Sequence, residues 1–145
     1  MMNAEIYNGA GKLAICPDGR VILTSYAKER SFVFQDGLKV VLYLGGNGES
    51  EAVGTDGMEM TSSFCDGKKA VFRYDDVSRG CHAEISFFSE GKTFVKRATV
   101  GKGRAEKLYR LTLLSGEVNA SLSRGGEGQP LFADDAMWFG TEFPA

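Results

Sequence analysis

Three cysteines, one histidine and two adjacent carboxylate pairs are where chemistry in this 145-residue chain would begin. Cys16, Cys65 and Cys81 stand far apart, so none has the close partner of a zinc knuckle or a redox dithiol. His82 directly follows Cys81, and neighbours on a strand point to opposite faces, which excludes a thiolate–imidazole pair there. The thiols are therefore expected to be buried as small hydrophobes, with no metal site and no cofactor. Asp75-Asp76 and Asp134-Asp135 offer oxygen ligands, but the twelve-residue calcium-loop pattern is missing. Sequence neighbours also cannot face each other across a glycosidic bond, so both pairs read as solvated turns. No catalytic residue emerges.

Glycine-rich stretches invite a phosphate-binding reading and do not sustain it. Asn8-Gly9-Ala10-Gly11-Lys12 is followed by Leu13 rather than Ser or Thr, which makes it a plain turn. Gly45-Gly46-Asn47-Gly48 and Gly125-Gly126-Glu127-Gly128 precede no helix whose N-terminal amides would hold an anion, and both read as loops. Asn119-Ala120-Ser121 fits the N-glycosylation pattern, yet Met1–Glu5 has no basic region leading into an apolar one. That start, with an odd number of thiols, fits a cytoplasmic setting best.

Lys plus Arg is 17 and Asp plus Glu is 19, a formal net charge of -2. The pI near 5.5 argues against a nucleic-acid partner. Lys92–Arg110 alone is basic, with seven cations against the single carboxylate Glu106, which suits a patch docking on an acidic neighbour equally well. No apolar run approaches the length of a membrane-spanning helix, so no membrane partner is expected.

The elements that must position these residues are strands. Asp-Gly at 18–19, 36–37, 56–57 and 66–67, with Asn-Gly at 8–9, are strong hairpin signals. Between such turns lie β-branched and aromatic runs: Lys12–Cys16, Arg20–Ala27, Ser31–Gln35, Leu38–Leu44, Met58–Cys65 and Lys68–Tyr74. Cys81–Ser89, Lys92–Val100, Lys107–Leu114 and Glu117–Ser123 complete the series. Turns about every ten residues predict an all-β chain, a single antiparallel β-sandwich domain over residues 1–145. Arg104–Leu114 also fits a helical period and is read as a strand. Leu38–Leu44 is expected to be central and covered on both faces. Ser123–Pro130 is expected to be a mobile loop before a last apolar segment, Leu131–Phe143.

The C-terminal string Gly128-Gln129-Pro130-Leu131-Phe132…Trp138-Phe139-Gly140-Thr141-Glu142-Phe143-Pro144-Ala145 resembles a specific family segment. It is similar to the stretch closing the N-terminal β-domain of α-galactosidase-like (melibiase, family 36) glycoside hydrolases. Phe94–Val100 resembles the strand before that closing region. The resemblance covers about the last third of the chain. It implies a β-supersandwich preceding a TIM barrel that carries both catalytic aspartates, none of which matches a residue here. The implied partner is thus a downstream catalytic domain of the same polypeptide, and carbohydrate is the implied ligand class.

Trp138, Asp134, Asp135 and Glu142 are the candidate sugar- or barrel-facing residues, because an indole stacks on apolar sugar faces and carboxylates accept hydroxyl hydrogen bonds. The alternative use of Trp138 and Phe139 is to close the core. A second function class, a stand-alone binding or structural β-domain, stays open beside the first, and an apolar chain end also favours homo-oligomers. A small β-barrel enzyme would need a convergent acid–base set, which one histidine does not supply.

Overall fold

Turn residues set the hairpins of this protein, and the hairpins set its sheets. The computed structural model describes residues 3–103, 106–124, 131–134 and 137–140. Strands β1 (Ala4–Tyr7), β2 (Gly11–Ile15), β3 (Val21–Ser25) and β4 (Arg30–Phe34) form one antiparallel meander. Its first turn is made by Asn8, whose Oδ1 accepts the N–H groups of Ala10 at 2.8 Å and Gly11 at 2.9 Å. Strands β5 (Val41–Gly46) and β6 (Glu49–Gly54) follow as a hairpin, and a 3-10 turn over Thr55–Gly57 leads onward. Strands β7 (Glu59–Cys65), β8 (Lys69–Asp76), β9 (Cys81–Glu90) and β10 (Thr93–Gly101) make a second four-stranded meander. Strand β11 (Lys107–Thr112) then returns to pair with β5, giving the sheet order β11-β5-β6. Strands β12 (Leu122–Arg124), β13 (Leu131–Ala133) and β14 (Met137–Phe139) form a small fourth sheet.

The first three sheets share one core. Ile6, Leu13, Ile15 and Val21 from the first meander meet Val40, Leu42 and Leu44 beside Phe72, Ile85 and Phe87. Period-two alternation selects the buried face: Ala70, Phe72 and Tyr74 are buried on β8, while Lys69 and Arg73 are exposed. Phe72 and Phe87 meet edge-to-face at 6.4 Å between ring centroids. Burying a side chain of this size stabilises the fold by roughly 1.5–3 kcal/mol. Thr55 and Ser86 are buried polar residues, and Thr55 is satisfied by its backbone neighbour. Its Oγ1 accepts the Val40 N–H at 3.0 Å, and its own N–H donates to the Val40 carbonyl at 2.9 Å. The protein is an all-β antiparallel sandwich, with no α-helix among the described residues.

Several expectations need correction. Gly45-Gly46-Asn47-Gly48 is not a plain loop. Asn47 and Gly48 adopt φ of 54° and 82°, the two left-handed positions of a tight hairpin turn, and the glycines before them belong to β5. Strand β6, unforeseen, follows directly. The 104–114 stretch is a strand as expected, over Lys107–Thr112, with its register shifting between Leu108 and Arg110. Strand β5 is central in its sheet, but Tyr43 is only half-buried, with the Arg110 guanidinium 5.1 Å above its ring.

Glu117–Ser123 does not form one strand. It gives a single bridge between Phe34 and Val118, after which the Asn119 side chain takes over the pairing. Asn119 Oδ1 accepts the Val33 N–H at 2.6 Å, and Nδ2 donates to the Ser31 carbonyl at 3.3 Å. The glycosylation-pattern asparagine therefore clips the edge of β4. Of the expected mobile loop, Ser123 and Arg124 belong to β12, and 125–130 lie outside the described residues.

The thiols also divide. Cys16 and Cys81 are buried, but Cys65 is exposed because it ends the edge strand β7. Burial pushes the Cys81 thiol up from its ordinary value, which further lowers its thiolate fraction. Titration of the native protein with a thiol reagent is accordingly expected to show one fast site, Cys65, and two slow ones. Fast labelling of a Cys65→Ser variant would contradict this.

Candidate functional site

Asp134 lies in the turn that follows β13, at φ 50°. Each oxygen of its carboxylate accepts one hydrogen bond. Oδ1 accepts the Ser121 N–H at 2.8 Å, and Oδ2 accepts from Arg30 Nη2 on β4. The Asp134 N–H returns a bond to the Ser121 carbonyl at 2.9 Å, closing a two-point link. Arg30 is in turn held in place. Its Nη2 also donates to the Asn119 carbonyl at 3.3 Å, and its guanidinium stacks 4.6 Å over the Phe32 ring. The Arg30 guanidinium, then the Ser121 amide, hold the Asp134 carboxyl below the usual carboxylate range. A carboxylate so anchored stays ionised at neutral pH. It can accept hydrogen bonds from hydroxyl groups but is poorly placed to act as an acid. Ser121, Leu122, Ser123 and Asp134 line an open depression of about 370 Å³ beside this link, with Leu122 exposed.

The other candidates fare differently. Trp138 lies on β14 with its Cα opposite that of Phe132 on β13, so the backbone brings it into the same small sheet as Asp134's turn. Asp135 and Glu142 lie outside the described residues. Arg30 was not singled out by the sequence, and Asn119 stood out only as part of the glycosylation pattern, not as a partner of this link. Arg30 precedes Asp134 by 104 residues, and nothing local marks it.

A second polar cluster was also unforeseen. Arg79, in the turn between β8 and β9, bonds Glu51 of β6 at 2.9 Å and Glu106 at 3.2 Å. These carboxylates raise its already high pKa. Arg79 and Glu51, with Leu44, Gly45, Gly46, Glu49 and Ser50, line a depression of about 260 Å³. The cluster ties β6 to the second meander, with one guanidinium held between two carboxylates.

The remaining chemistry-bearing residues are structural. Asp75 pairs with Arg73 at 3.6 Å and accepts the Thr61 hydroxyl at 2.8 Å, while Asp76 accepts the Ser78 hydroxyl at 2.7 Å. His82 packs on Gly101, where any Cβ would stand 2.2 Å from the imidazole Cε1. The basic run is dispersed. Lys96 shares the inward face of β10 with Phe94 and Ala98, Arg97 stacks 4.8 Å over Phe88, and Arg110 belongs to another sheet. No group of three or more His, Cys, Asp or Glu among the described residues is arranged to hold a metal ion. Among them, too, no helix is long and apolar enough to cross a membrane. No protein-family model, no curated protein and no solved structure matches this chain.

Proposed function

We propose that this chain is the non-catalytic N-terminal β-sandwich domain of an α-galactosidase-like glycoside hydrolase. On this reading it packs against a following TIM-barrel domain through its C-terminal sheet and borders the sugar site there. The observation that carries the proposal is the Arg30–Asp134 link with its Ser121 partner. It spends an ionised aspartate on tying the end of β13 to β4, and β13 pairs with the strand that carries Trp138. A fixed carboxylate beside an aromatic strand is what a sugar-facing rim requires: one group for hydroxyls and one for the apolar ring face. The family resemblance of the same C-terminal string supports the choice of glycosidase. Association through this end with a second copy is the expected behaviour when the barrel is absent.

The test is to express the chain alone and together with the reading frame downstream of Ala145, and to assay both on p-nitrophenyl α-galactoside. Hydrolysis is expected from the longer polypeptide only. Galactose titrated into the isolated chain is expected to shift amide resonances at 119–123 and Asp134. A stop codon after Ala145 combined with sugar binding at that depression would favour a stand-alone carbohydrate-binding module. Hydrolysis by the isolated chain would sink both readings.

A further inference from the structure

Lys96 is the one charged side chain on the inward face of β10, where period two places it between Phe94 and Ala98. Its Cα partner on β9 is Phe87, and the ammonium lies 6.0 Å from that ring's centroid. Nζ donates to the Lys39 carbonyl at 2.8 Å and also to the Leu113 carbonyl. These two carbonyls belong to different segments: Lys39 leads into β5, and Leu113 follows β11. One side chain thus ties the second meander to both flanks of the β11-β5-β6 sheet.

We propose that Lys96 is a proton-operated clasp between the β7–β10 meander and the segments around Lys39 and Leu113. A neutral amine has two N–H groups and meets two carbonyls, so the clasp is satisfied with no buried charge. Protonation adds a third N–H and a full charge in an apolar setting. The carbonyl dipoles offset part of that cost, but burial prevails and pushes the Lys96 amine down to about 7. Partial solvent contact at Lys96 gives the proton a route in and out.

No other charge takes over the role. The titratable and charged groups on the elements around the clasp are Asp36, Lys39 and Asp56, His82, Glu84 and Glu90 on β9, Arg97 on β10, and Lys107 and Arg110 on β11. Lys39 and Asp56 pair with each other at 3.4 Å, and the Asp36 carboxylate packs against Gly116. Arg97 and Arg110 stack on Phe88 and Tyr43. The lowered value has burial as its only cause, with no charge partner.

The direction of the effect follows from linkage. The folded-state value lies below the ordinary lysine value of 10.5, so between about 7 and 10.5 the unfolded chain binds more protons. Stability from this group therefore rises with pH through that window and is flat well below 7. From pH 8 to pH 6 the folding equilibrium constant is expected to fall about tenfold through Lys96 alone. The segment released first is the one after β11, which leads into the Val118 and Asn119 contacts on β4.

The experiment is urea unfolding of the wild-type chain and Lys96→Met at pH 6 and pH 8, together with side-chain NMR titration of Lys96 in the wild type. The expected result is an about tenfold pH effect in the wild type beyond that of the variant, with the Lys96 resonance titrating near 7. Equal pH dependence in the two proteins would overturn the clasp, as would titration near the ordinary lysine value. If Lys96→Met fails to fold, the wild-type titration decides alone.

Discussion

Phe72→Ala is expected to cost about 3–5 kcal/mol of stability, because a fully enclosed aromatic leaves a cavity its neighbours cannot fill. Phe72 is 1% exposed, touches Phe87 edge-to-face and joins all three main sheets in one cluster. Domains of this size hold about 5–15 kcal/mol in total, so this single change consumes a large share of the margin. Phe64→Ala is the matched control. Phe64 sits on the adjacent edge strand β7, is 56% exposed, and should change stability by no more than about 0.5 kcal/mol. Urea midpoints of the two variants measure the contrast directly. Equal losses would mean that the inward and outward faces of this meander are assigned wrongly.

Gly45→Ala is expected to have the second-largest effect, through backbone contact rather than an empty space. A Cβ at Gly45 would stand 1.9 Å from the Glu49 carbonyl oxygen and 2.9 Å from Ser50 Cα. Both belong to β6, the hydrogen-bonded neighbour, so the strain can be relieved only by prising the hairpin apart. Strand β5 carries Leu42 and Leu44 into the core, and about 3 kcal/mol is the expected loss. Gly48→Ala separates the two reasons a hairpin needs glycine. Gly48 has φ +82° with open space around it, so its replacement costs only the left-handed backbone, about 1–2 kcal/mol. A Gly45→Ala variant as stable as Gly48→Ala would remove the close-approach argument.

The sequence was most readable where one face of a strand is wet and the other dry. Strand β8 alternates cleanly and β9 does so over Cys81–Ile85, so Phe72 and Ile85 could be assigned inward from pattern alone. Strand β6 escaped notice for the opposite reason. Glu49, Ser50, Glu51 and Ala52 are all exposed on an edge strand, so no apolar period betrays it. Its turn was hidden as well, since Gly45-Gly46 before Asn47-Gly48 looks like a glycine loop until the pairing partner is known.

At the candidate site, Asp134 was legible as a carboxylate near an aromatic stretch. Its partners were not. Arg30 reaches it from β4, 104 residues earlier in the chain, and the Ser121 contact is a backbone group that residue identity cannot reveal. Lys96 shows a further limit. Its place on the inward face followed from alternation with Phe94 and Ala98, but a basic run is normally read as solvated. Only the two carbonyls above it explain how the residue is accommodated.

The pairing of β11 with β5 constrains the order in which the chain can assemble. Both four-stranded meanders are built from neighbours in sequence, so each can grow outward from its own turns with little loss of chain entropy. Strand β11 has no such advantage, because β6 through β10 lie between it and its partner. The ends of that large loop gain little by meeting until the second meander stands ready to receive Leu111 against the core. Closing the sandwich is therefore a late, search-limited event, and β11 is the strand whose release first reopens it.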